Sequence, residues 1–296
     1  MLANSAIESC VRWACEQEVN APKPGNVNPL SDGHNMVIED FLASATAIAP
    51  VMAAPDLTVG QRILQSIKAT RQVVNCNTNL GIVLLFAPLC QAIRTCNDFS
   101  DLPEHLSAIL QNLTVADARD CYQAIRLAEA GGLGHSHEQD INTEPTVTLR
   151  QTMEIASQRD TIAQQYVNNY NEIFHIGLPI LTSEVKSGAG VEWATTFAYL
   201  NLLSSVPDTL ICRKQSREHA SAVTEKAKLF VVDMKKNNKL KALKTKLIAW
   251  DNELKKKALN PGTTADMTAA SLLVFAFQQA LSLNEFQYHE AYSGRH

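Results

Sequence analysis

The chain has 296 residues, of which 46% are hydrophobic, and it carries a net charge of −4. This composition supports one large domain or two small ones with a sizeable buried core. A general nucleic-acid binder would usually be basic, so the charge argues against that class. The longest apolar run, Ile82 to Cys90, is too short to span a bilayer, and the first residues contain no apolar run of signal-peptide length.

The seven cysteines are odd in number and scattered, and none forms a C-x-x-C pair. This pattern indicates neither a disulfide framework nor a zinc knuckle. We therefore expect a cytoplasmic protein with reduced thiols and with no membrane or nucleic-acid partner.

Helical periodicity dominates the chain. Ile7, Val11, Ala14 and Glu18 share one face of a first predicted helix. No window shows sustained alternation of period two, so we predict no strands. The pattern predicts a single all-α domain over residues 1–296 with about ten or more helices. After the first, these are expected near residues 38–52, 59–74, 80–93, 114–130, 153–174, 178–186, 191–205, 216–236, 239–258 and 264–282.

The segment "LGIVLLFAPLCQAI" is apolar on every side, which is typical of a helix at the centre of a protein. Pro88 is expected to kink that helix. Thr114 to Asp117, "TVAD", has the pattern of a capping box at the start of the following helix.

Five polar joints rich in Gly or Pro separate the predicted helices, and a helical bundle can gather such joints at one end. We expect the active site there. In the first joint, "APKPGNVNPLSDGHN", two prolines hold Lys23 in an extended segment and Gly25 lets a ligand approach the backbone. Lys23 and Asn26 are candidate phosphate ligands, as is His34. The alternatives are a solvated loop lysine and a structural histidine.

The joint "NCNTNLG" precedes the apolar helix. Asn77 or Thr78 can cap that helix, and Asn79 with the free N–H groups there can bind an anion. Capping would explain one of these residues, but it would not explain all three.

The joint "LNPGTTAD" offers Asn260 and Gly262 at a turn before the last helix, and Asp266 falls in the first turn of that helix. An acid at this position favours the helix dipole. The functional alternative is that Asp266 ligates Mg²⁺ beside a phosphate.

The joint "VPDTLICRK" places Asp208 near Arg213 and Lys214. This could be a helix boundary with a surface ion pair, or a general base with two anion-binding cations. The loop "SHEQDINTEPT" contains Asp140, a candidate ligand for a hard cation, whereas we expect His135, just before the loop, and His137 to be solvated.

The order of these joints resembles one family. "PKPGNV", then "GHNM" with "F-x-x-S", then "NTN-x-G", "PDT" and "LNPG-x-x-AD" resemble the triphosphoribosyl-dephospho-CoA synthases over residues 10 to 282, approximately. The resemblance implies an all-α enzyme that takes the triphosphoribosyl group of ATP, releases adenine and attaches the group to the 2'-hydroxyl of 3'-dephospho-CoA.

The residues suit such a transfer, which passes through an oxocarbenium-like state and needs a carboxylate near the acceptor hydroxyl. Asp208 is the predicted base and Asp266 a second catalytic acid. Mg²⁺ is the expected cofactor because it binds one or two carboxylates together with phosphate oxygens. Asp140 and Asp266 are its predicted ligands.

One motif departs from the family. Typical members read N-T-H-K-G where this chain reads "NTNLG", so Asn79 and Leu80 replace a histidine and a lysine. "GHNM" also lacks the usual acid before the methionine, and the chain looks like a divergent branch. Two alternatives follow. One is a related nucleotide-dependent ribosyl or phosphoribosyl transferase that serves biosynthesis of a tetrahydromethanopterin- or methanofuran-type cofactor. The other is a non-catalytic helical nucleotide-binding protein. A homodimer is compatible with any of them.

Overall fold

The computed structural model describes residues 1–29, 32–33, 36–129, 131, 138–236 and 240–282. Within these ranges the chain forms fourteen α-helices and no strand, so the all-α prediction is confirmed. The backbone also contains one isolated bridge between Gly33 and Met36. The helices are α1 Asn4–Asn20, α2 Ile38–Ala53, α3 Val59–Val73, α4 Leu80–Ile93, α5 Leu102–Gln111, α6 Val115–Ala128, α7 Leu149–Ala156, α8 Thr161–Asn168, α9 Leu178–Lys186, α10 Val191–Ser205, α11 Thr209–Lys214, α12 Arg217–Lys236, α13 Leu240–Lys256 and α14 Gly262–Ser282.

The region predicted as one helix over 153–174 consists of several pieces. Helix α7 ends at Ala156, and Asp160 starts α8 by accepting hydrogen bonds from the backbone N–H groups of Ile162 and Ala163. A π-helical turn, Ile173–Gly177, then leads directly into α9. An aspartate that can cap a new helix breaks a pattern whose apolar spacing alone looks continuous. The short helices α5 and α11 were not predicted either.

Helix α4 lies at the centre, as its apolar sequence predicts, with most of its residues buried. Pro88 has no N–H group to donate to the carbonyl of Leu84 four residues earlier. The Tyr166 hydroxyl donates to that carbonyl instead, at 2.6 Å, and the Tyr170 hydroxyl donates to the carbonyl of Leu85 at 3.1 Å. These two bonds satisfy carbonyls around the proline and fix the α8 region against α4.

The buried apolar residues form a main core and a second cluster. The main core is built largely on α1–α10 and α14, whereas the second joins α10 to α13 and includes the stacked rings of Phe230 and Trp250, 4.9 Å apart. The exposed face of α12 and α13 carries ion pairs such as Lys246–Asp233 and Lys257–Glu253. Among the described helices, none is both long and apolar enough to cross a membrane. All seven cysteines lie in the described ranges, and none of them forms a disulfide.

Candidate active site

A cavity of about 540 Å³ opens where helices α4, α8, α11 and α14 begin. Each helix start contributes a lining residue, namely Leu80, Ile162, Leu210 and Gly262. Helix N-termini carry partial positive charge and N–H groups without an intrahelical partner, so their convergence favours an anionic ligand. The charged lining residues are Glu18, Asp140, Asp160, Asp266, Arg159 and Arg213.

The start of α4 presents its backbone to this cavity. Asn79 is the N-cap residue, yet its side chain does not cap the helix. The Asn79 amide instead donates to the Thr70 hydroxyl at 2.9 Å, away from the helix amides. Gly81 and Ile82, in the first turn, both line the cavity. Their N–H groups are therefore available to a phosphate.

The other two residues of the "NTN" joint are also at the cavity. The Asn77 carbonyl Oδ1 accepts from the Leu80 N–H at 3.1 Å, and the Thr78 hydroxyl lies 2.6 Å from that of Ser44. All three predicted residues of this joint thus line the cavity, and each is also held by a hydrogen bond.

Helix α14 begins at Gly262, two residues before the predicted start at residue 264, so Asp266 lies just beyond the first turn and not in it as predicted. Asp266 faces the cavity. Its carboxylate rests against Gly81 of α4, since a Cβ added to Gly81 would lie only 2.0 Å from Asp266 Oδ2. A side chain at residue 81 would displace the acid, so glycine is required there. Within the described residues, the Asp266 carboxylate accepts no hydrogen bond. Burial raises its pKa well above the usual value, and the charges of Glu18, Asp208 and Asp160 add to that shift.

Glu18 also lines the cavity, although it lies outside the sequence motifs. It is 2% exposed, and its Oε1 lies 3.2 Å from Nζ of Lys23, which is 1% exposed. The Lys23 ammonium donates to the backbone carbonyls of Glu18, Ala21 and Val27. Burial lowers the pKa of Lys23 and raises that of Glu18, and each residue partly offsets the shift of the other.

Lys23 is consequently enclosed within its own loop. It does not line the cavity, whereas Glu18 and Asn26 do. This geometry does not support the phosphate contact predicted for Lys23, because the ammonium already donates to three backbone carbonyls inside the protein. The available signal for Glu18 was its place on the apolar face of α1, where an acid is unusual.

Asp208 joins two helix starts. Its Oδ1 accepts from the N–H groups of Leu210 and Ile211, and its Oδ2 accepts from the N–H and hydroxyl of Thr264, each at 2.8 Å. The residue is 2% exposed and is absent from the cavity wall. Burial raises the pKa of Asp208 to about 6, against the pull of these donors.

Both oxygens of Asp208 are therefore occupied. This geometry favours a structural role, in which Asp208 fixes α11 against α14, and the role of general base stays a prediction. The sequence indicated a helix boundary at this residue, but it could not show that a second helix start supplies two more donors.

Arg213 reaches the cavity from α11, as predicted, and its Nη1 lies 2.8 Å from Asp160 Oδ2. Asp160 also caps α8 through Oδ1. This pair fixes a guanidinium at the cavity wall, and Arg159 lines the same wall. Lys214, predicted as a second anion ligand, is exposed and does not line the cavity.

The loops "PKPG" and "LNPG" are in direct contact. Gly25 has a φ of +84°, and a Cβ there would lie 2.8 Å from the carbonyl oxygen of Leu259. The Asn26 amide donates to Asn260 Oδ1 at 2.8 Å. Asn26 and Gly262 line the cavity, while Gly25 and Asn260 support it from behind.

Asp140 lines the cavity from the opposite loop, and its Oδ1 accepts from the backbone and side-chain N–H groups of Asn142, both at 2.9 Å. His34, His135 and His137 lie outside the described residues. Among the described residues, no group of three or more His, Cys, Asp or Glu side chains is placed to hold a metal. A cation bound by one or two carboxylates and by substrate phosphates fits the acids present.

The remaining wall is apolar and comes mainly from α4, α6, α7 and α8. Its members include Ile82, Leu84, Ile125, Met153 and Ile162. An apolar wall opposite a charged one is typical of pockets that bind a nucleotide or another small ligand with both kinds of surface.

The helical fold and this cavity define an all-α enzyme whose site suits a phosphorylated ligand. Residues 4–285 match the family model described as ATP:dephospho-CoA triphosphoribosyl transferase, and the chain belongs to that family. The resemblance inferred from the motifs is thereby confirmed. The chain is accordingly a transferase that moves the triphosphoribosyl group of ATP to dephospho-CoA.

A solved structure supports the same relationship. The crystal structure of a provisionally assigned triphosphoribosyl-dephospho-CoA synthase from Archaeoglobus fulgidus aligns with a TM-score of 0.62 and 25% identity. The alignment covers 80% of this chain and 98% of that chain. A comparison with curated proteins finds no significant match.

Proposed function

We propose that the triphosphate of ATP binds at the start of α4, with Arg213 and the acids of the cavity arranged around it. The observation that carries this proposal is the contact between the first turn of α4, where the Asn79 side chain leaves the N–H groups of Gly81 and Ile82 uncapped, and the Asp266 carboxylate at Gly81. N–H groups there would bind phosphate oxygens, and the neighbouring acid would meet a cation carried by the phosphates.

Mg²⁺ would neutralise charge on the triphosphate, and Asp266 is the residue best suited to hold it. Its carboxylate accepts no hydrogen bond within the described residues, and a bound cation would offset the unfavourable burial of its charge. Asp140, the other predicted ligand, lines the same cavity but already accepts two hydrogen bonds at Oδ1.

In the transfer, the bond between C1' of the ribose and N9 of adenine breaks with its electron pair going to adenine, and a bond from C1' to the acceptor 2'-oxygen forms. The acceptor hydroxyl loses one proton and the departing adenine gains one, so the step balances, and positive charge develops on the ribose ring as the bonds exchange. Carboxylates along the cavity wall would stabilise that charge in a site with little water. Asp208 would act as a positioning residue, because it holds the helix starts that carry Arg213 and Asp266.

The apolar wall would accommodate the adenine ring or the pantetheine arm of dephospho-CoA. Leu80, which stands where typical members have a lysine, adds to this apolar surface. The pocket therefore depends on helix amides and arginines, rather than on a lysine at residue 80, to bind phosphate.

The direct test is to incubate the protein with Mg²⁺, ATP and dephospho-CoA and to measure free adenine and the product mass. We expect adenine release that depends on dephospho-CoA, and a product heavier by one triphosphoribosyl group. The matched control is 2'-deoxy-dephospho-CoA, which lacks the accepting hydroxyl and should give no product. If a pterin-like or furan acceptor supports adenine release and dephospho-CoA does not, the acceptor assignment is wrong.

The cytoplasmic location and the homodimer considered from the sequence stay predictions. Fractionation of cells that express the protein tests the first, and light scattering of the purified protein tests the second.

A further inference from the structure

We propose that Glu18 is the second carboxylate ligand of the divalent cation held by Asp266, and that Lys23 is the positioning residue that orients Glu18. The inference deepens the proposed function and rests on it. It assigns a role to an acid of the first helix that lies outside every motif of the sequence.

The Glu18 side chain is buried, yet one of its oxygens has no hydrogen bond. Oε1 lies 3.2 Å from Lys23 Nζ, but it receives no hydrogen bond of regular geometry, because the Lys23 ammonium donates to backbone carbonyls. The charge of Lys23 compensates Oε1 on that side, although a buried oxygen without a regular hydrogen bond is still costly. Glu18 also lines the cavity, so the contact with a cation would fall to its other oxygen, Oε2.

Glu18 and Asp266 come from packed helices and reach the same cavity. Helix α1 packs along α14, where the Trp13 and Phe275 rings stack with their centroids 6.2 Å apart, and both acids line the cavity. Two like charges at one cavity repel each other, and a divalent cation between Glu18 and Asp266 would convert that repulsion into attraction.

The chemistry of the donor set fits Mg²⁺. This ion takes oxygen ligands, keeps several waters and is bound by one or two carboxylates together with substrate phosphates. Two carboxylates from α1 and α14, close to the amides at the start of α4, provide that combination. A cluster of three or more protein ligands is not needed.

Lys23 explains how Glu18 is held. Its ammonium is anchored by carbonyls of Ala21 and Val27, on either side of the Pro22–Pro24 segment. The stiff loop thus places a fixed positive charge behind Glu18, on the side away from the cavity. In this proposal Lys23 favours the ionised form of the Glu18 carboxylate and fixes its orientation, and it does not contact the cation.

The test uses Mn²⁺ as the probe, together with carbocyclic ATP, whose ring carbon prevents formation of the oxocarbenium state. Free Mn²⁺ is measured by electron paramagnetic resonance as protein and analogue are titrated. For Glu18→Gln we expect at least a tenfold loss of Mn²⁺ affinity, the scale of effect seen when metal sites lose a supporting group. Glu16→Gln, a nearby acid on α1 outside the cavity wall, should leave the affinity unchanged.

Glu18→Gln leaves Lys23 buried without its partner and could unfold the protein. The double variant Glu18→Gln with Lys23→Met removes both charges and should remain folded while losing Mn²⁺ to the same extent. Unchanged Mn²⁺ affinity in the folded double variant would overturn the role of Glu18 and leave ATP binding intact. Failure of the wild-type protein to bind carbocyclic ATP at all would overturn the proposed function, and this inference with it.

Discussion

Two carboxylates close to the start of α14, the buried Asp208 and the half-buried Asp266, have opposite surroundings. Asp208 receives four hydrogen bonds from two helix starts, and two of them come from Thr264. Asp266, two residues further along the same helix, receives none within the described residues and rests against a glycine. The first carboxylate is satisfied by the protein, whereas the second is the one that we propose as a ligand of the cation.

The number of hydrogen-bond donors around a carboxylate distinguishes structural from candidate functional acids better than its position in the sequence does. Both residues lie at helix boundaries, and both suggested chemistry in the sequence. A carboxylate with both oxygens occupied can hold helices together, but it cannot accept a substrate proton without losing bonds. A partly buried carboxylate without donors is costly in the free protein, and such residues cluster at functional sites.

The largest expected effect is on activity at Asp266. Asp266→Asn should lower the rate of adenine release by about 10²–10⁴-fold, because it removes a charge that meets the cation and the reacting ribose. The same change should leave the free energy of unfolding unchanged or raise it, since a costly buried acid is lost. Chromatography of adenine and urea denaturation measure the two quantities. A marked loss of stability would place Asp266 in the structural class with Asp208.

The second-largest expected effect is a loss of folding stability when Lys23 is replaced. Lys23→Met should destabilise the protein by about 3–5 kcal/mol, because it leaves the Glu18 charge buried without its partner. Urea denaturation measures the loss, and the double variant with Glu18→Gln should recover most of it. If Lys23→Met instead keeps full stability and weakens ATP binding alone, the sequence-based prediction of a phosphate contact would be right.

Asp208→Asn should destabilise the protein by about 2–3 kcal/mol, because the amide nitrogen cannot accept from the N–H groups that now bond to the carboxylate. Thr264→Val, which removes only the hydroxyl donor, is the matched control and should cost less. A variant with normal stability and a strongly reduced turnover would restore Asp208 as a candidate base.

The smallest effect is expected at Asp140. Asp140→Asn keeps an oxygen that can accept the bonds from Asn142, so the free energy of unfolding should change by less than about 0.5 kcal/mol. Mn²⁺ affinity in the presence of carbocyclic ATP should also stay close to that of the wild-type protein. A tenfold loss of affinity would show that Asp140, as the sequence predicted, is a metal ligand.

The sequence alone determined the helical class, because apolar spacing of period 3.6 needs no knowledge of tertiary contacts. It also located the joints that reach the cavity, since Gly, Pro and Asn mark helix ends through local backbone chemistry. The predicted residues Asn26, Asn77 to Asn79, Arg213 and Asp266 all line one cavity for this reason.

Tertiary structure alone decided what each polar residue does there. Lys23 and Asp208 lie in motifs typical of ligand-binding residues, but both are enclosed. Lys23 donates to the carbonyl of Val27 in its own loop, and Asp208 accepts from the N–H group of Thr264 in another helix. Glu18 and Asp160 carry no motif, yet helix packing brings them to the cavity. Whether a carboxylate is satisfied or free depends on donors from other helices, and no local pattern in the chain encodes which helices those are.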